Sequence, residues 1–191
     1  MIKLYLIKYL KNQQKEQGFT LTELLVVIII IGILSAISVP SLLSQANKAK
    51  QTDAKVNLSS LNRAQQVYYL EHGEFVTDTA QIGKLGLGIA TSTSNYDYSF
   101  APTQEGVGVA MIATPKGNAY KSYVGAIGLA YQPGSGEPAT LTAMCESTQL
   151  GQVLSAANIE LTTGEAHMGG GEIKCTNQSV AVGEEQTSAQ R

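Results

Sequence analysis

The 191-residue chain carries thirteen Lys and Arg against fifteen Asp and Glu, a formal net charge of −2, and is 43% hydrophobic but only 15% charged. That length leaves room for one membrane-length helix and one modest globular head. The acidic balance, which rises to eleven acidic against five basic residues from Gly73 onward, disfavours non-specific nucleic-acid binding, because that needs a basic face to displace phosphate counterions.

Met1–Gln17 holds Lys3, Lys8, Lys11 and Lys15 against the single acid Glu16, and lacks a dense apolar block. Positive charge of this kind is expected to hold the amino terminus in the cytoplasm and place the rest outside. The stretch that follows, Gly18–Pro40, reads GFTLTELLVVIIIIGILSAISVP, and no charged residue stands between Leu24 and Asn47. As a helix, Phe19–Val39 would run roughly 31 Å, enough to cross a hydrocarbon core of roughly 30 Å. Glu23 breaks the apolar pattern. An ionised carboxylate near mid-bilayer depth costs roughly 2.5–3.5 kcal/mol on insertion scales. Thr20-Leu21-Thr22-Glu23 also fits a capping box, in which the Thr20 hydroxyl and the Glu23 carboxylate satisfy free backbone N–H groups. Two plainer readings of the segment are a secretory signal, with small residues at Ala36 and Ser38, and an unprocessed single-span anchor. The long apolar run and the long stretch before it count against the signal.

Beyond Pro40 a helical period resumes. Ala54, Leu58, Leu61, Ala64 and Tyr68 recur at three- and four-residue steps, with Lys48, Lys50, Lys55 and Arg63 mostly elsewhere. Pro40 lacks an N–H and is expected to bend the helix rather than end it. Gly73, after Glu71-His72, is a natural left-handed cap, giving one helix of about 50 residues whose second half needs a partner surface. Glu74–Ala90 reads as a loop with one helical turn from Asp78. Gly83, Gly86 and Gly88 imitate a phosphate-binding loop only superficially, since no strand precedes them.

From Asn95 the period becomes two. Tyr96, Tyr98 and Phe100 alternate with polar residues, and Val107, Val109 and Met111 alternate with Gly and Ala. Turns are expected at Pro115–Asn118 and Pro133–Gly136. Tyr123, Ile127, Leu129 and Tyr131 share one face of a third strand, and Leu141, Ala143 and Cys145 one face of a fourth. Strands joined by short turns predict an antiparallel meander whose apolar face packs on the helix stripe, an α+β fold with a roughly four-stranded sheet. Gln149–Arg191 is rich in Gly and polar residues, and Gly183–Arg191 is expected to be disordered.

Cys145 and Cys175 are the only cysteines. Outside a reducing cytosol a disulfide between them is expected; a metal site and free thiols are the alternatives, and His167 alone cannot complete a metal ligand set. No arrangement for nucleophilic or metal-assisted catalysis is legible. Glu160, Glu165 and Glu172 match no calcium-loop spacing, and no cofactor is implied. Asn57-Leu58-Ser59 and Asn177-Gln178-Ser179 fit the glycosylation sequon.

Gly18-Phe19-Thr20-Leu21-Thr22-Glu23, after a Lys-rich leader and before an aliphatic run, resembles the processing site of type IV pilins. The likeness continues through Gly32 and Pro40, and Ser41–Gln45 (SLLSQ) resembles pilins of photosynthetic bacteria in particular. Thr22 departs from the pattern, which more often has an aliphatic residue there. The close match covers roughly residues 15–72.

The resemblance implies the pilin fold, a structural rather than enzymatic role, and five segments. These are a cleaved leader (1–18), a long helix (19–72, with 19–39 as membrane span and filament core and 40–72 amphipathic), a connecting loop (73–94), a β-sheet head with a disulfide loop (95–182) and a tail (183–191). It implies cleavage between Gly18 and Phe19 by a prepilin peptidase, N-methylation of Phe19, and assembly roles for Glu23, Gly32 and Pro40. Leader removal leaves nine basic against fourteen acidic residues. The implied location is the inner (cytoplasmic) membrane as a single-span protein, then an extracellular pilus. The implied partners are further copies of the chain, the peptidase, the assembly platform and minor pilins, in filaments that serve motility, adhesion or DNA uptake. The competing readings are a minor pilin, a type II secretion pseudopilin, and a membrane-anchored binding module that never polymerises.

Overall fold

A computed structural model describes residues 18–103, 107–131, 138–165, 169–176 and 178–182. Met1–Gln17, the expected turn at Pro133–Gly136, His167, Asn177 and the tail 183–191 lie outside the described residues. The chain divides into two compact units, the first ending at Ser44 and the second beginning at Gln45.

One α-helix, α1, covers Leu21–His72 with Pro40 inside it, close to the expected bounds and two residues short of Phe19 at its start. Its end is set by Gly73, whose φ of 74° suits a residue without a Cβ. The Gly73 N–H bonds the Tyr69 carbonyl at 2.8 Å. His72 stacks on Tyr68 and stays exposed, with its Nδ1 3.1 Å from the Tyr68 carbonyl.

In the second unit α1 presents the predicted stripe. Ala54, Leu58 and Leu61 are 0% exposed, and Ala64 and Tyr68 pack at the margin of the same cluster. A 3-10 helix over Thr79–Leu85 follows, with the Asp78 carboxylate accepting from the Ala80 N–H at 2.9 Å. The sheet strands are β1 (Tyr96–Pro102), β2 (Gly108–Pro115), β3 (Tyr123–Tyr131), β4 (Pro138–Ser147), and, after β5 (Ile159–Glu165) and β6 (Gly169–Cys175), β7 (Ser179–Ala181). The order is β1-β2-β3-β4-β7, every pair antiparallel, so the expected meander is present with a short fifth strand added. One face, carrying Tyr96, Tyr98, Phe100, Val109, Met111, Tyr123 and Ile127, meets the helix stripe.

Alternation in the strands predicts a buried face only against α1, but the opposite face is buried too. Ala110, Ile112, Val124, Ala126 and Cys145 cluster there with Leu154 and Ile159. The cover is the hairpin β5–β6, a separate two-stranded sheet drawn from the polar, Gly-rich stretch that follows β4. Leu161 of β5 sits so close over Gly128 of β3 that any side chain at that glycine would collide with it. Leu141, Ala143 and Cys145 therefore share the face toward the hairpin, while the neighbouring Met144 packs with the helix-side core. On β3, Tyr131 at the strand end is 39% exposed rather than buried with Tyr123 and Ile127.

Polar groups fix the helix against its surroundings. Buried Gln65 uses both ends of its amide on one residue: Nε2 donates to the Val76 carbonyl at 2.7 Å and Oε1 accepts from the Val76 N–H at 3.0 Å. This clamps the loop after α1 as a β-ladder would. Buried Asn62 lies over Gly125, where an added Cβ would sit 3.3 Å from its Nδ2. The outer edge of β1 is blocked, because the Tyr98 N–H bonds the Thr91 carbonyl at 2.7 Å and the Phe100 N–H bonds the Thr79 hydroxyl at 2.8 Å.

At the far end of the sheet, Glu146 of β4 pairs with Lys121 at 2.6 Å and with Lys55 of α1 at 3.2 Å. Burial pushes the Glu146 carboxyl up, but the bonds from Lys121 and Lys55 outweigh it and hold the group below the ordinary value of 4.5. A carboxyl whose pKa is lower folded than unfolded stabilises the fold above the unfolded value, and that contribution is lost as pH falls through the folded value. The melting temperature is therefore expected to drop as pH falls below about 4.5. Glu146→Gln should flatten part of that dependence, and an unchanged acid slope would contradict this role.

Candidate functional site

The amino-terminal segment combines a free junction, a capped helix start and an uncovered apolar surface. Gly18 and Phe19 precede α1, and Phe19 is 82% exposed. Thr20 and Glu23 form the expected capping box. The Glu23 N–H donates to the Thr20 Oγ1 at 3.2 Å, and the Glu23 Oε2 accepts from the Thr20 N–H at 2.9 Å and from its hydroxyl at 2.8 Å. This follows from the spacing alone, since residues three apart at a helix start face each other across its unbonded N–H groups. The carboxylate is thus held at the mouth of the apolar run.

Every large apolar side chain from Phe19 to Leu43 is at least 45% exposed. Burying one such side chain contributes about 1.5–3 kcal/mol, so an uncovered surface of this extent is a binding surface for lipid or protein. The helix is long and apolar enough to cross a membrane, with a mean hydropathy of 2.7 in its most apolar window. Gly32 has nothing within 4 Å of the position a Cβ would take. Pro40 cannot donate to Ala36, and in that same stretch the Ser38 hydroxyl donates to the Leu34 carbonyl at 2.9 Å. Gly32 and Pro40 both lie within continuous helix.

In the second unit Cys145 and Cys175 are bonded, with their Cα atoms 5.7 Å apart. Cys145 is fully buried in the hairpin-side cluster, so the bond staples the end of β6 to β4. Closing a loop of 30 residues contributes roughly 3–4 kcal/mol in the chain-entropy picture. The sequon residue Asn57 is engaged, donating from Nδ2 to the Tyr98 hydroxyl at 2.9 Å.

Residues 13–39 match the family described as the prokaryotic N-terminal methylation motif, and residues 51–176 match the family described as type IV pilin-like G and H, putative. The second match covers more than half of the chain. The chain belongs to the type IV pilin family. Among relatives of this pilin, the type IV wide pilus major component PilA4 of Thermus thermophilus is 31% identical over 115 residues, 56% of this chain and 87% of that one. The type IV major pilin PilA of Myxococcus xanthus is 39% identical over 69 residues, 36% of this chain and 31% of that one. The type II secretion system core protein G of Vibrio cholerae is 38% identical over 68 residues, 36% of this chain and 47% of that one. The shared stretch thus spans less than half of the Myxococcus and Vibrio proteins. No solved structure matches the pilin.

Proposed function

We propose that this pilin is a structural, non-catalytic subunit of a type IV pilus, cleaved between Gly18 and Phe19 and methylated on the new Phe19 amine. The observation that carries the reading is the uncovered apolar helix surface from Phe19 to Leu43, opened by a single carboxylate at Glu23. Such a surface needs one cover before assembly and another after it. The inner membrane supplies the first and the same segment of neighbouring copies supplies the second, in an extracellular, head-to-tail open polymer. A prepilin peptidase, an assembly platform and minor pilins are the partners this pathway requires. Gly32–Pro40 serves as the adaptable part of the stem. It stays helical where lipid penalises bare backbone and can lengthen where protein surrounds it.

The junction tests the processing step. Gly18→Leu should leave precursor in the membrane fraction and remove the protein from sheared filaments, because a side chain crowds a site that accepts glycine. Normal maturation of that variant would contradict cleavage at this bond. The pseudopilin reading is supported by the likeness to the Vibrio secretion protein. It predicts little of this chain in filaments sheared from the cell surface, whereas a major pilin should dominate them.

A further inference from the structure

A cleft of about 350 Å³ in the second unit lies between the Lys50–Asn57 stretch of α1 and the loop entering β1. Asp53 and Asn57 line it from the helix, and Asn95 and Tyr98 from the other side. Tyr98 is only 4% exposed, and its hydroxyl oxygen already accepts from Asn57 Nδ2 at 2.9 Å. Among the described residues its own hydrogen has no acceptor. The other two deeply buried tyrosines differ: Tyr96 donates to the Lys121 carbonyl and Tyr123 to Gln51 Oε1. The Asp53 carboxylate and the Asn95 amide also lack hydrogen-bond partners among the described residues. Lys50 at the rim spends one N–H on the Tyr120 hydroxyl at 3.0 Å.

The composition narrows the ligand. An anion would meet Asp53, and a divalent cation would find one carboxylate beside an ammonium. A planar base has no free ring face to stack on, since Tyr96 and Tyr98 are both buried. Among the described residues, what the protein leaves without a partner of its own along this cleft is a phenol hydrogen, the exposed Asp53 carboxylate and the Asn95 amide, a mixture of donors and acceptors. That set matches adjacent hydroxyls, each of which gives one bond and takes another. We propose that this cleft binds a neutral polyhydroxylated ligand, a single pyranose unit either free or within a glycan chain. Asp53 accepts from two neighbouring hydroxyls, Tyr98 donates to a third, and the asparagine amides bond in either sense.

Saturation-transfer NMR on the full chain in detergent tests this without any need for assembly, so its failure is separable from failure of the pilus reading. The probes are methyl glucoside, methyl galactoside and N-acetylglucosamine, each with its β-linked disaccharide, and glycine as a zwitterionic control. At least one sugar should show transfer at concentrations up to about 10 mM, above a dissociation constant of about 1 mM. Tighter binding of the disaccharide would identify a glycan chain as the source, and equal binding a free sugar; either outcome supports the site. Asp53→Asn should weaken binding roughly tenfold with an unchanged melting temperature, and Tyr98→Phe should weaken it by a similar factor with a small fall in melting temperature, since its hydroxyl also accepts from Asn57. The proposal is overturned if no sugar binds, if glycine binds and sugars do not, or if both variants bind as the parent does.

Discussion

Glu23→Ala should still be inserted and cleaved, yet yield about a hundredfold less surface filament or none, as an uncompensated buried charge of about 3–5 kcal/mol implies. The proposed cleavage before Phe19 would create an α-amino group with a reference pKa of roughly 7.7–8, largely charged at neutral pH. That charge starts a segment which, in a filament, is surrounded by the apolar stems of other copies. In the single chain the Glu23 carboxylate is turned back onto Thr20. In the polymer it can neutralise the Phe19 amine of a neighbour or of its own chain, and so set the register of assembly. Thr20→Ala separates the two roles. It removes the hydroxyl side of the capping box, at about 0.5–2 kcal/mol of local helix stability, but keeps the carboxylate. Filament yield, read by immunoblot of sheared and membrane fractions, should therefore fall for Glu23→Ala and hold for Thr20→Ala. Equal yields from both variants and the parent would leave capping as the only role of Glu23.

Leu58→Ala is expected to destabilise the head by about 2–5 kcal/mol, the range for deleting a fully buried leucine side chain. Leu58 is 0% exposed at the centre of the contact between α1 and the sheet. Val67, 54% exposed one face away on the same helix, supplies the control. Val67→Ala should change stability by no more than about 0.5 kcal/mol. Chemical denaturation of the two variants in the same detergent reads the difference directly. Similar midpoints would mean that the head does not rest on this stripe.

Periodic signals were easy to read in the sequence, and signals that depend on a partner were not. The apolar run, the capping box at Thr20–Glu23, the stripe of Ala54, Leu58 and Leu61, and the alternation of Tyr96, Tyr98 and Phe100 are repeats of one element's own geometry. Each is present where expected. Gln65 carried no such signal, because a glutamine in a helix looks the same whether it is solvated or clamped on the Val76 backbone. The hairpin β5–β6 was hidden for a related reason. Its residues Thr162, Thr163, Gly164, Gly169, Gly170 and Gly171 offer little apolar alternation, and it is anchored by Ile159, Leu161 and the Cys145–Cys175 bond. Small residues on β2 and β3, among them Ala110, Ala126 and Gly128, make sense once that layer is known to lie on them. At the candidate site the sequence motif singles out Gly18, Phe19 and Glu23 as candidates. Its spacing could not show that everything from Phe19 to Leu43 lies uncovered in the single chain.

The most direct measurement is top-down mass spectrometry of protein sheared from the cell surface. A subunit processed and polymerised as described should appear as a chain beginning at Phe19, one methyl group heavier at its amino terminus, with Cys145 and Cys175 joined. Recovery of the protein only from membranes, with Met1 or the rest of the leader still attached, would contradict it.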